Sequence, residues 1–537
     1  MKTTLESPTA KVGRPYRTAD DLEAFDAVVI GSGMGSLTAA GVLARAGKRV
    51  LVLERHYTPG GFTHVFKRPG CEWDVGLHYV GQLFQRDDMM AGLFDYVTQG
   101  GVEWAPMDPV YDRIICQGES YDLVAGKESL ADSLKGSFPA DARAIDRYLD
   151  LLYRCPSSST PYFMEKALPG WLAAVVGPLL RYPFLRYAKR TTYDTLRRLT
   201  TNEKLIGVLT AQYGDYGLPP RQSSFGVHAM VARHYLEGAA YPVGGASRIA
   251  AAIHRTIESA GGQLLVRAEV RRIVTENGRA VGVEMADGRL IRAPRVISGT
   301  GIRPTTSRLL APDDAARLGF VDKLERIGPS CTMLCLFVAL DGADEEFGIP
   351  KTNLWVHDGF DHDASVERYL ADSGKPFPLV YLSFQSAKDP SFAERYPNTS
   401  AVQVLAPANY GWFDKWEATD WHRRGEAYEA WKHQFTERLL GVLHQQMPAT
   451  RGRVKHAELG TPLSIRHFAN HPKGETYGLA HTPERFALRA LRPQARIPGL
   501  YFTGVDVSLC GIAGAMVGGY LTASAVLGKN AMAAASR

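Results

Sequence analysis

The stretch covering residues 26–61 constrains the fold of this chain more than any other part of the sequence. It opens with the apolar run "DAVVI" at residues 26–30, which predicts a short buried parallel strand. The glycines that follow allow a tight turn in which backbone N–H groups come close to a pyrophosphate. These glycines are Gly31, Gly33 and Gly35. Residues 37–46 predict a helix whose positive N-terminal end faces that anion, so the whole stretch predicts the first unit of a dinucleotide-binding α/β fold.

A second apolar strand is predicted at residues 49–53, and it ends in Glu54. An acidic side chain roughly 20 residues after the glycine turn can accept hydrogen bonds from both hydroxyls of an adenosine ribose. The third glycine position of the fingerprint holds Ser36, although close packing of helix on strand favours a residue without a side chain there. Serine is small enough for the prediction of a dinucleotide site to stand.

Composition and motifs argue against several other classes of protein. The 62 Lys and Arg residues nearly balance 56 Asp and Glu, and the net charge of +6 comes without a motif that reads nucleic acid. The six cysteines are scattered, and Cys331 and Cys335 lie in an apolar run typical of buried small residues. Neither a GxSxG elbow nor an HExxH motif occurs. We therefore predict no metal site and no nucleic-acid partner.

The N-terminal residues lack the apolar core of a secretion signal. We expect a flexible lead-in over about the first 20 residues and a location in the reducing cytoplasm. The longest uncharged apolar stretch, residues 512–528, is rich in Gly, Ser and Thr and falls short of the roughly 20 apolar residues that span a bilayer. It predicts a buried helix.

Two later segments continue the nucleotide-binding pattern. Residues 247–260 predict an amphipathic helix, and hairpin turns are indicated at Asn277-Gly278 and Asp287-Gly288. The strands predicted around these turns are 264–266, 270–276, 280–285 and 296–299. Farther on, residues 500–503 predict a strand. Gly504 predicts the turn after it, Asp506 an acceptor for polyol or phosphate groups, and Gly511 the start of a helix of small residues.

The order of these blocks resembles the flavoprotein superfamily of phytoene desaturases, carotenoid isomerases and amine oxidases, and its retinol saturase branch most of all. The likeness is carried by "GG" at 60–61 with "HVF" at 64–66, "GLHYVG" at 76–81, "TPLSIRHF" at 461–468, "GETYGL" at 474–479 and "IPGLYFTGVDVSLCGIAGA" at 497–515. The sequence departs from that branch at residues 62–63, which read "FT" where the branch tends to carry cysteines before the histidine. This departure leaves the identity of the substrate open.

The resemblance implies FAD as the cofactor and an α/β fold. A Rossmann-like FAD-binding domain of three layers (sheet, sheet and helices, ββα) would be assembled from three separate parts of the chain. These are residues 24–108, 241–302 and 495–537. An α+β substrate domain would take residues 109–240 and 303–494. The cofactor-binding residues implied by the resemblance are Gly31, Gly33, Gly35 and Ser36 at the pyrophosphate, Glu54 at the ribose with Arg55 beside it, Gly60 and Gly61 near the flavin, Val270 at the adenine, and Gly504, Asp506, Gly511 and Ala513 near the ribityl and phosphate groups.

The substrate domain contains two segments of unusual composition. Residues 355–431 hold many aromatic side chains, which form either a channel for a long apolar ligand or a plain aromatic core. They are Trp355, Trp412, Trp416, Trp421 and Trp431, with Phe360, Tyr381, Phe384, Tyr410 and Phe413. Residues 167–204 combine apolar side chains with a basic run, which favours a surface helix dipping into anionic headgroups over a solvated basic face. Pro169, Pro178 and Pro183 predict that this segment does not form one long straight helix, and we expect a peripheral membrane location.

The expected reaction adds or removes hydrogen across carbon–carbon bonds of a carotenoid- or retinoid-type polyene or of an unsaturated acyl chain. Candidates for moving a proton are His64, His78, Tyr79 and Glu475. A single dinucleotide fingerprint predicts no separate nicotinamide domain, so the electron partner is a quinone, oxygen, a redox protein or a transiently bound nicotinamide. The alternatives are a redox-neutral double-bond isomerase, an amine oxidase and a carrier of flavin or lipid without activity.

Overall fold

The computed structural model describes residues 12–19, 22, 24–85 and 88–535. Its centre is a six-stranded parallel sheet, the nucleotide sheet. Five of its strands are largely apolar, as expected where both faces of a sheet are covered, and the edge strand Arg14–Pro15 is exposed. From edge to edge the strands are Arg14–Pro15, Gln263–Val266, Val50–Glu54, Ala27–Ile30, Val296–Ser298 and Leu500–Phe502. Five of these six were predicted from the sequence, and their ends are confirmed to within about one residue.

The sixth strand corrects the expectation of a flexible lead-in. Arg14–Pro15 pairs in parallel with Gln263–Val266, and Arg14 donates a hydrogen bond to Gln263 Oε1 at 2.6 Å. The next residues, Tyr16–Thr18, form a helical turn, and the Tyr16 hydroxyl donates to Asp287 at 3.0 Å. These bonds fix residues 14–18 to the sheet edge, whereas residues 1–11 lie outside the described part of the chain.

The nucleotide sheet lies between a helical layer and a second sheet. Its helical face carries Met34–Arg45, Ser247–Ser259 and Gly511–Leu527, which share one apolar core with the sheet. Its other face packs on an antiparallel sheet of Val270–Glu276, Arg279–Met285 and Leu290–Arg292 through a separate core. This arrangement confirms the three-layer ββα fold. The strands come from three separated parts of the chain, while the exact domain boundaries stay a prediction.

The substrate lobe is built on a seven-stranded sheet, the large sheet. Its order is Val454–Gly460, Thr332–Asp341, Thr399–Ala408, Leu379–Phe384, Asn353–His357, Val110–Cys116 and Glu119–Val124. All neighbours are antiparallel except Asn353–His357 and Val110–Cys116. Helix Glu426–Gln446 covers one side of this sheet. Smaller sheets join the lobes and consist of Val80–Gly81, Ala239–Pro242 and Trp104–Pro106, and of Val65–Arg68 with Cys71–Asp74.

Helix Met89–Thr98 packs on the apolar core of the nucleotide sheet. The other long helices form most of the remaining substrate lobe. They are Lys127–Ser137, Ala142–Ser157, Thr160–Ala167, Gly170–Ala188, Glu203–Thr210, Phe225–Tyr235, His362–Ala371 and Pro462–Ala469. None of the helices in the described ranges is both long enough and apolar enough to cross a bilayer. All six cysteines are free thiols.

Helix Gly170–Ala188, which we call the exposed helix, stays helical through Pro178 and Pro183. That these prolines keep it from being straight stays a prediction. Each proline removes one N–H donor and leaves the carbonyl four residues earlier without its helical partner. Those carbonyls belong to Ala174 and Leu179, and both residues are exposed.

Candidate active site

A cavity of about 470 Å³ lies at the carboxyl ends of the nucleotide-sheet strands and continues to the large sheet. This is the edge where parallel α/β sheets bind ligands, because the loops after the strands meet there. Most of the predicted cofactor-binding residues line the cavity. They are Gly31, Gly33, Gly35, Ser36, Glu54, Arg55, Gly60, Gly61, Val270, Gly504, Asp506 and Gly511.

The glycine turn forms an open cradle. Gly31 has φ of +88°, a conformation that side chains disfavour. A Cβ atom on Gly33 would meet no atom within 4 Å, so this position faces empty space in the cavity. A Cβ on Gly35 would instead lie 2.4 Å from Gly504 Cα. The two glycines are therefore needed for different reasons. Gly33 leaves room for a ligand, and Gly35 lets the loop at Gly504 approach helix Met34–Arg45.

Ser36, which departs from the fingerprint, is accommodated by a glycine on the opposite strand end. A Cβ atom on Gly299 would lie only 1.8 Å from Ser36 Oγ. Ser36 is buried, and its hydroxyl has no hydrogen-bond partner in the described structure. The missing side chain at residue 299 thus provides the space that the fingerprint usually gains from a third glycine.

Glu54 holds the start of the turn. Its Oε2 atom accepts from the backbone N–H of Ser32 at 2.8 Å and from the Ser32 hydroxyl at 2.6 Å, and its Oε1 atom accepts from His56 N at 2.7 Å. Ser32 Oγ also accepts from Gly60 N at 3.1 Å. The carboxylate therefore connects segments of the cavity wall, and its contact with the ribose stays a prediction.

Asp506 fastens the C-terminal loop. This buried carboxylate accepts from the backbone N–H of Ile302 at 2.7 Å and of Leu479 at 2.9 Å. It lines the cavity, but two of its acceptor positions are already used by the protein. Contact with the ribityl and phosphate groups stays a prediction for this residue.

The donors around the cavity suit a dinucleotide. Helices Met34–Arg45 and Gly511–Leu527 both begin at its wall, and the N–H groups of a first helical turn have no partner within their helix. Two such helix ends attract an anion through these donors and through the helix dipole. Together with the open space at Gly33 and the acid at Glu54, they fit the pyrophosphate and ribose of FAD.

The structure divides the proton-moving candidates. His64 and His78 line the cavity. Burial lowers the pKa of His64 to about 4 and that of His78 to about 3, so both rings are neutral near pH 7. Tyr79 does not line the cavity, because neighbouring side chains of an extended segment point to opposite sides, and its hydroxyl donates to Asp112 at 2.9 Å. Glu475 also lies outside the lining, where its carboxylate accepts from Lys473 N at 2.9 Å.

Ala513 is not among the residues that line the cavity, whereas its neighbours Ile512 and Ala515 are. Contact of Ala513 with the cofactor stays a prediction. Of the ten aromatic residues considered for a channel, Trp421 alone reaches the cavity, and most of the others belong to the cores of the substrate lobe.

The aromatic and apolar lining comes mainly from other segments. The residues concerned are Phe62, Phe66, Met333, Cys335, Phe337, Leu405, Tyr428, Phe468 and Tyr477. Met333, Cys335 and Phe337 alternate along strand Thr332–Asp341, so period-two spacing was the signal that could have found them. The Cys335 thiol is thus part of a cavity wall, whereas we had expected only a buried core residue.

Fold and cradle together define a dinucleotide-binding protein. The family model "Flavin containing amine oxidoreductase" matches residues 37–527, and the chain belongs to this family. The protein is therefore an FAD-dependent oxidoreductase, as the sequence predicted.

Individual relatives share most of their length with this chain. It is 35% identical to an all-trans-retinol 13,14-reductase of Macaca fascicularis, over 95% of this chain and 86% of the relative. It is 25% identical to prolycopene isomerase 1 of an Oncidium hybrid cultivar, over 88% and 78%. The solved structure of cyclohexylamine oxidase from Brevibacterium oxydans superposes with a TM-score of 0.58 at 17% identity, covering 96% of this chain and 99% of that one. The last likeness shows the shared fold.

Proposed function

We propose that the protein is an FAD-dependent reductase that adds two hydrogens across a carbon–carbon double bond of a lipophilic polyene of the retinoid or carotenoid type. The observation that carries this proposal is the continuity of the cavity, which joins the cofactor cradle to an apolar and aromatic chamber. The relative named all-trans-retinol 13,14-reductase supports both a retinoid-like substrate and the direction of reduction.

Bound FAD supplies hydride chemistry at a carbon–carbon bond. The chain's own contribution is to hold the polyene and keep water away from it. Phe66, Met333, Phe337 and Leu405 provide apolar walls on the side of the large sheet. His64 and His78 are neutral, so they act as hydrogen-bonding groups toward a polar end of the substrate and not as cationic acids.

The test is product mass. Purified flavin-loaded protein is incubated with all-trans-retinol, with prolycopene-type carotenoids and with a total membrane-lipid extract, each with and without a reductant. We expect one compound to gain two hydrogens only when reductant is present. An unchanged mass with shifted chromatographic retention would replace the reductase by the isomerase, which the 25% identical relative favours. Loss of two hydrogens would reverse the direction, and peroxide formed from amines would move the search to amine oxidation.

A polyene that dissolves in lipid has to reach the protein from a membrane. The exposed helix is the element best suited to contact that membrane. Its solvent face carries large apolar side chains at spacings of four, four and three residues. Trp171, Val175, Leu179 and Tyr182 are 72%, 75%, 78% and 63% exposed. Half of the large apolar side chains that are exposed in the described structure belong to this one stripe.

The opposite face of the exposed helix is buried and includes one charged side chain, which water would favour on the outside. Its buried residues are Ala173, Gly177, Arg181, Phe184 and Ala188. Arg181, the one charged residue between positions 170 and 185, points inward and donates to Phe486 O at 3.1 Å. A helix in water normally places its charge outside and its apolar side chains inside. An apolar outer stripe of this kind marks a contact surface.

The charge at the end of the stripe supports a bilayer as its occupant. Arg186, Lys189 and Arg190 are exposed where the helix ends, and anionic headgroups attract such side chains. We expect the protein to float with vesicles of anionic lipid, to bind neutral vesicles more weakly and to dissociate at high salt. The double variant Val175→Glu/Leu179→Glu should lose binding, whereas Leu290→Glu, at an apolar residue 52% exposed elsewhere, should keep it. Vesicle binding that survives the double variant, or self-association without vesicle binding, would overturn the membrane contact.

A further inference from the structure

Four arginines line the cavity, and one of them differs from the other three. They are Arg55, Arg68, Arg308 and Arg424. Each of the first three donates to an acceptor of the chain, which is a backbone carbonyl, a carboxylate and a side-chain amide oxygen in turn. Among the described residues, Arg424 has neither a hydrogen-bond nor an ion-pair partner, and its Nη1 atom is buried. A cation sheltered from water without an acceptor is costly, so Arg424 is suited to a ligand that brings one.

Two aromatic rings hold the guanidinium of Arg424. Its Cζ atom lies 5.3 Å from the ring centre of Tyr428 and 5.8 Å from that of Trp421. Both rings also line the cavity. Tyr428 is fixed in turn, because its hydroxyl forms a hydrogen bond with Thr461 Oγ1 at 2.8 Å. Contact with ring faces holds a guanidinium without using an acceptor, so the N–H groups of Arg424 still lack one.

A short series of contacts joins Arg424 to the apolar chamber. Thr461, which binds the ring beneath Arg424, directly follows Gly460 at the end of the edge strand of the large sheet. Gly460 pairs with Cys335. Cys335 belongs to the apolar cavity wall on strand Thr332–Asp341. A chain that lies along this wall can therefore reach Arg424 with its end group.

The acidic side chains in this part of the lining do not balance the charge of Arg424. Glu458 is paired with Arg68, whose Nε and Nη2 atoms both donate to it at 2.7 Å. Glu429 is paired with Lys432 at 3.3 Å. Each of these acids has its own cation, so the charge of Arg424 is left over. The other acids of the lining belong to segments around the nucleotide sheet and are Glu54, Glu269 and Asp506.

We propose that Arg424 binds an anionic end group of the substrate, so that this chain acts on a polyene that ends in a carboxylate. This inference rests on the proposed function and names its substrate class. A carboxylate presents two acceptor oxygens in one plane, which matches the planar fork of a guanidinium. The neutral rings of His64 and His78 can offer such a group hydrogen bonds but no charge. Arg424 thus contributes affinity and substrate choice and takes no part in hydrogen transfer.

The test is a binding titration of the oxidised, flavin-loaded protein with all-trans-retinoic acid and with all-trans-retinol. These two compounds share one polyene and differ in the end group. Oxidised flavin holds no electrons for reduction, so flavin absorbance and tryptophan fluorescence report binding alone. Arg424→Met removes the charge, whereas Arg424→Lys keeps the charge but loses the planar fork. Arg423→Met is the matched control, since Arg423 is an exposed neighbour outside the cavity lining.

We expect wild type to bind the acid at least about tenfold more tightly than the alcohol, as befits a hydrogen bond to a charged group. Arg424→Met should bind the acid about 10- to 100-fold more weakly, with its affinity for the alcohol and for FAD within about twofold of wild type. Arg424→Lys should keep part of the preference for the acid, and Arg423→Met should keep all of it.

Three results would overturn the inference. They are equal affinity of wild type for acid and alcohol, an equal loss of both ligands in Arg424→Met, and a loss of FAD affinity in that variant in place of acid affinity. Failure of the proposed function is distinguishable, because binding is measured without turnover. If wild type prefers the acid through Arg424 but reduces neither compound when reductant is supplied, the reduction fails while the contact with the anionic end group stands.

Discussion

Alanine substitutions at Gly33 and Gly35, two residues apart, should separate cofactor binding from folding. Gly33 has φ of −62° and ψ of 167°, which alanine adopts without strain, and its new methyl group would stand free in the cavity. The cofactor-free protein should therefore keep its stability or gain about 0.4–1 kcal/mol from the less flexible unfolded chain. In the bound state the methyl occupies the space that the pyrophosphate needs, and such overpacking costs about 1–3 kcal/mol. At about 1.4 kcal/mol per tenfold change, the Kd for FAD should rise about 5- to 150-fold.

Gly35→Ala should behave in the opposite way. Its Cβ would lie 2.4 Å from Gly504 Cα and 2.7 Å from Gly504 N, and neither backbone atom can move aside alone. The loss of about 1–3 kcal/mol then falls on the folded protein even before FAD binds. Gly136→Ala is the control, because it lies inside helix Lys127–Ser137 with no atom within 4 Å of its Cβ and away from the cavity.

The assay is a titration of cofactor-free protein with FAD, followed by flavin fluorescence, together with thermal unfolding of the cofactor-free form. We expect Gly33→Ala to change only the titration, Gly35→Ala to lower the unfolding temperature, and Gly136→Ala to leave the titration unchanged. If Gly33→Ala binds FAD as tightly as wild type, the pyrophosphate does not lie against this turn and our placement of the cofactor is wrong.

Three further outcomes follow from the same geometry. Glu54→Gln puts an amide where the wild-type carboxylate accepts from three N–H and O–H donors. In the FAD titration we expect the affinity to fall about tenfold or more, which corresponds to about 1.4 kcal/mol for each factor of ten. An unchanged affinity would contradict the ribose role. Gly299→Ala should lower the free energy of unfolding, measured with denaturant, by about 1–3 kcal/mol. Ser36→Gly in the same chain should restore this loss, because it removes the hydroxyl that the new Cβ would meet. If the effects of the two substitutions simply add, the compensation is refuted. Burial lowers the pKa of His228 to about 3 in the folded protein. As the pH falls below about 6.5, this histidine therefore binds a proton in the unfolded state before it does so in the folded state, and the free energy of unfolding decreases. Between about pH 6.5 and pH 5 this loss amounts to about 2 kcal/mol, which His228→Gln should remove; parallel stability curves for variant and wild type would exclude His228 as the cause.

The nucleotide domain could be predicted because its signals are local. The apolar run at residues 27–30, the glycines after it and Glu54 are close in sequence, and each is required by the turn that it forms. Ser36 showed the limit of this reasoning. Its compensation by Gly299 depends on contact between residues far apart in the sequence, and no local pattern reports such a contact.

The substrate chamber was predicted less well for a physical reason. Trp355 and Phe413 are aromatic residues of the kind that line ligand channels, but both are buried in hydrophobic cores. Sequence alone does not separate the two cases, because the same apolar side chains line channels and fill cores. Tyr79 was singled out as a proton-moving candidate beside His78, yet its hydroxyl contacts Asp112 and Asp215 and it does not line the cavity. Neither its spacing nor its sequence neighbours reveal these contacts. The exposed helix was expected near a membrane, but its unbroken course through two prolines and its inward Arg181 appear only in three dimensions.

The most direct test of the reductase function is a single turnover without oxygen. Protein whose flavin has been fully reduced is mixed with all-trans-retinol or a related polyene while flavin absorbance and product mass are followed together. We expect the flavin to become oxidised at the same rate at which a product two hydrogens heavier than the substrate appears, one product for each flavin. A flavin that stays reduced, whether the polyene is untouched or merely isomerised, would contradict the proposed reduction of a carbon–carbon double bond.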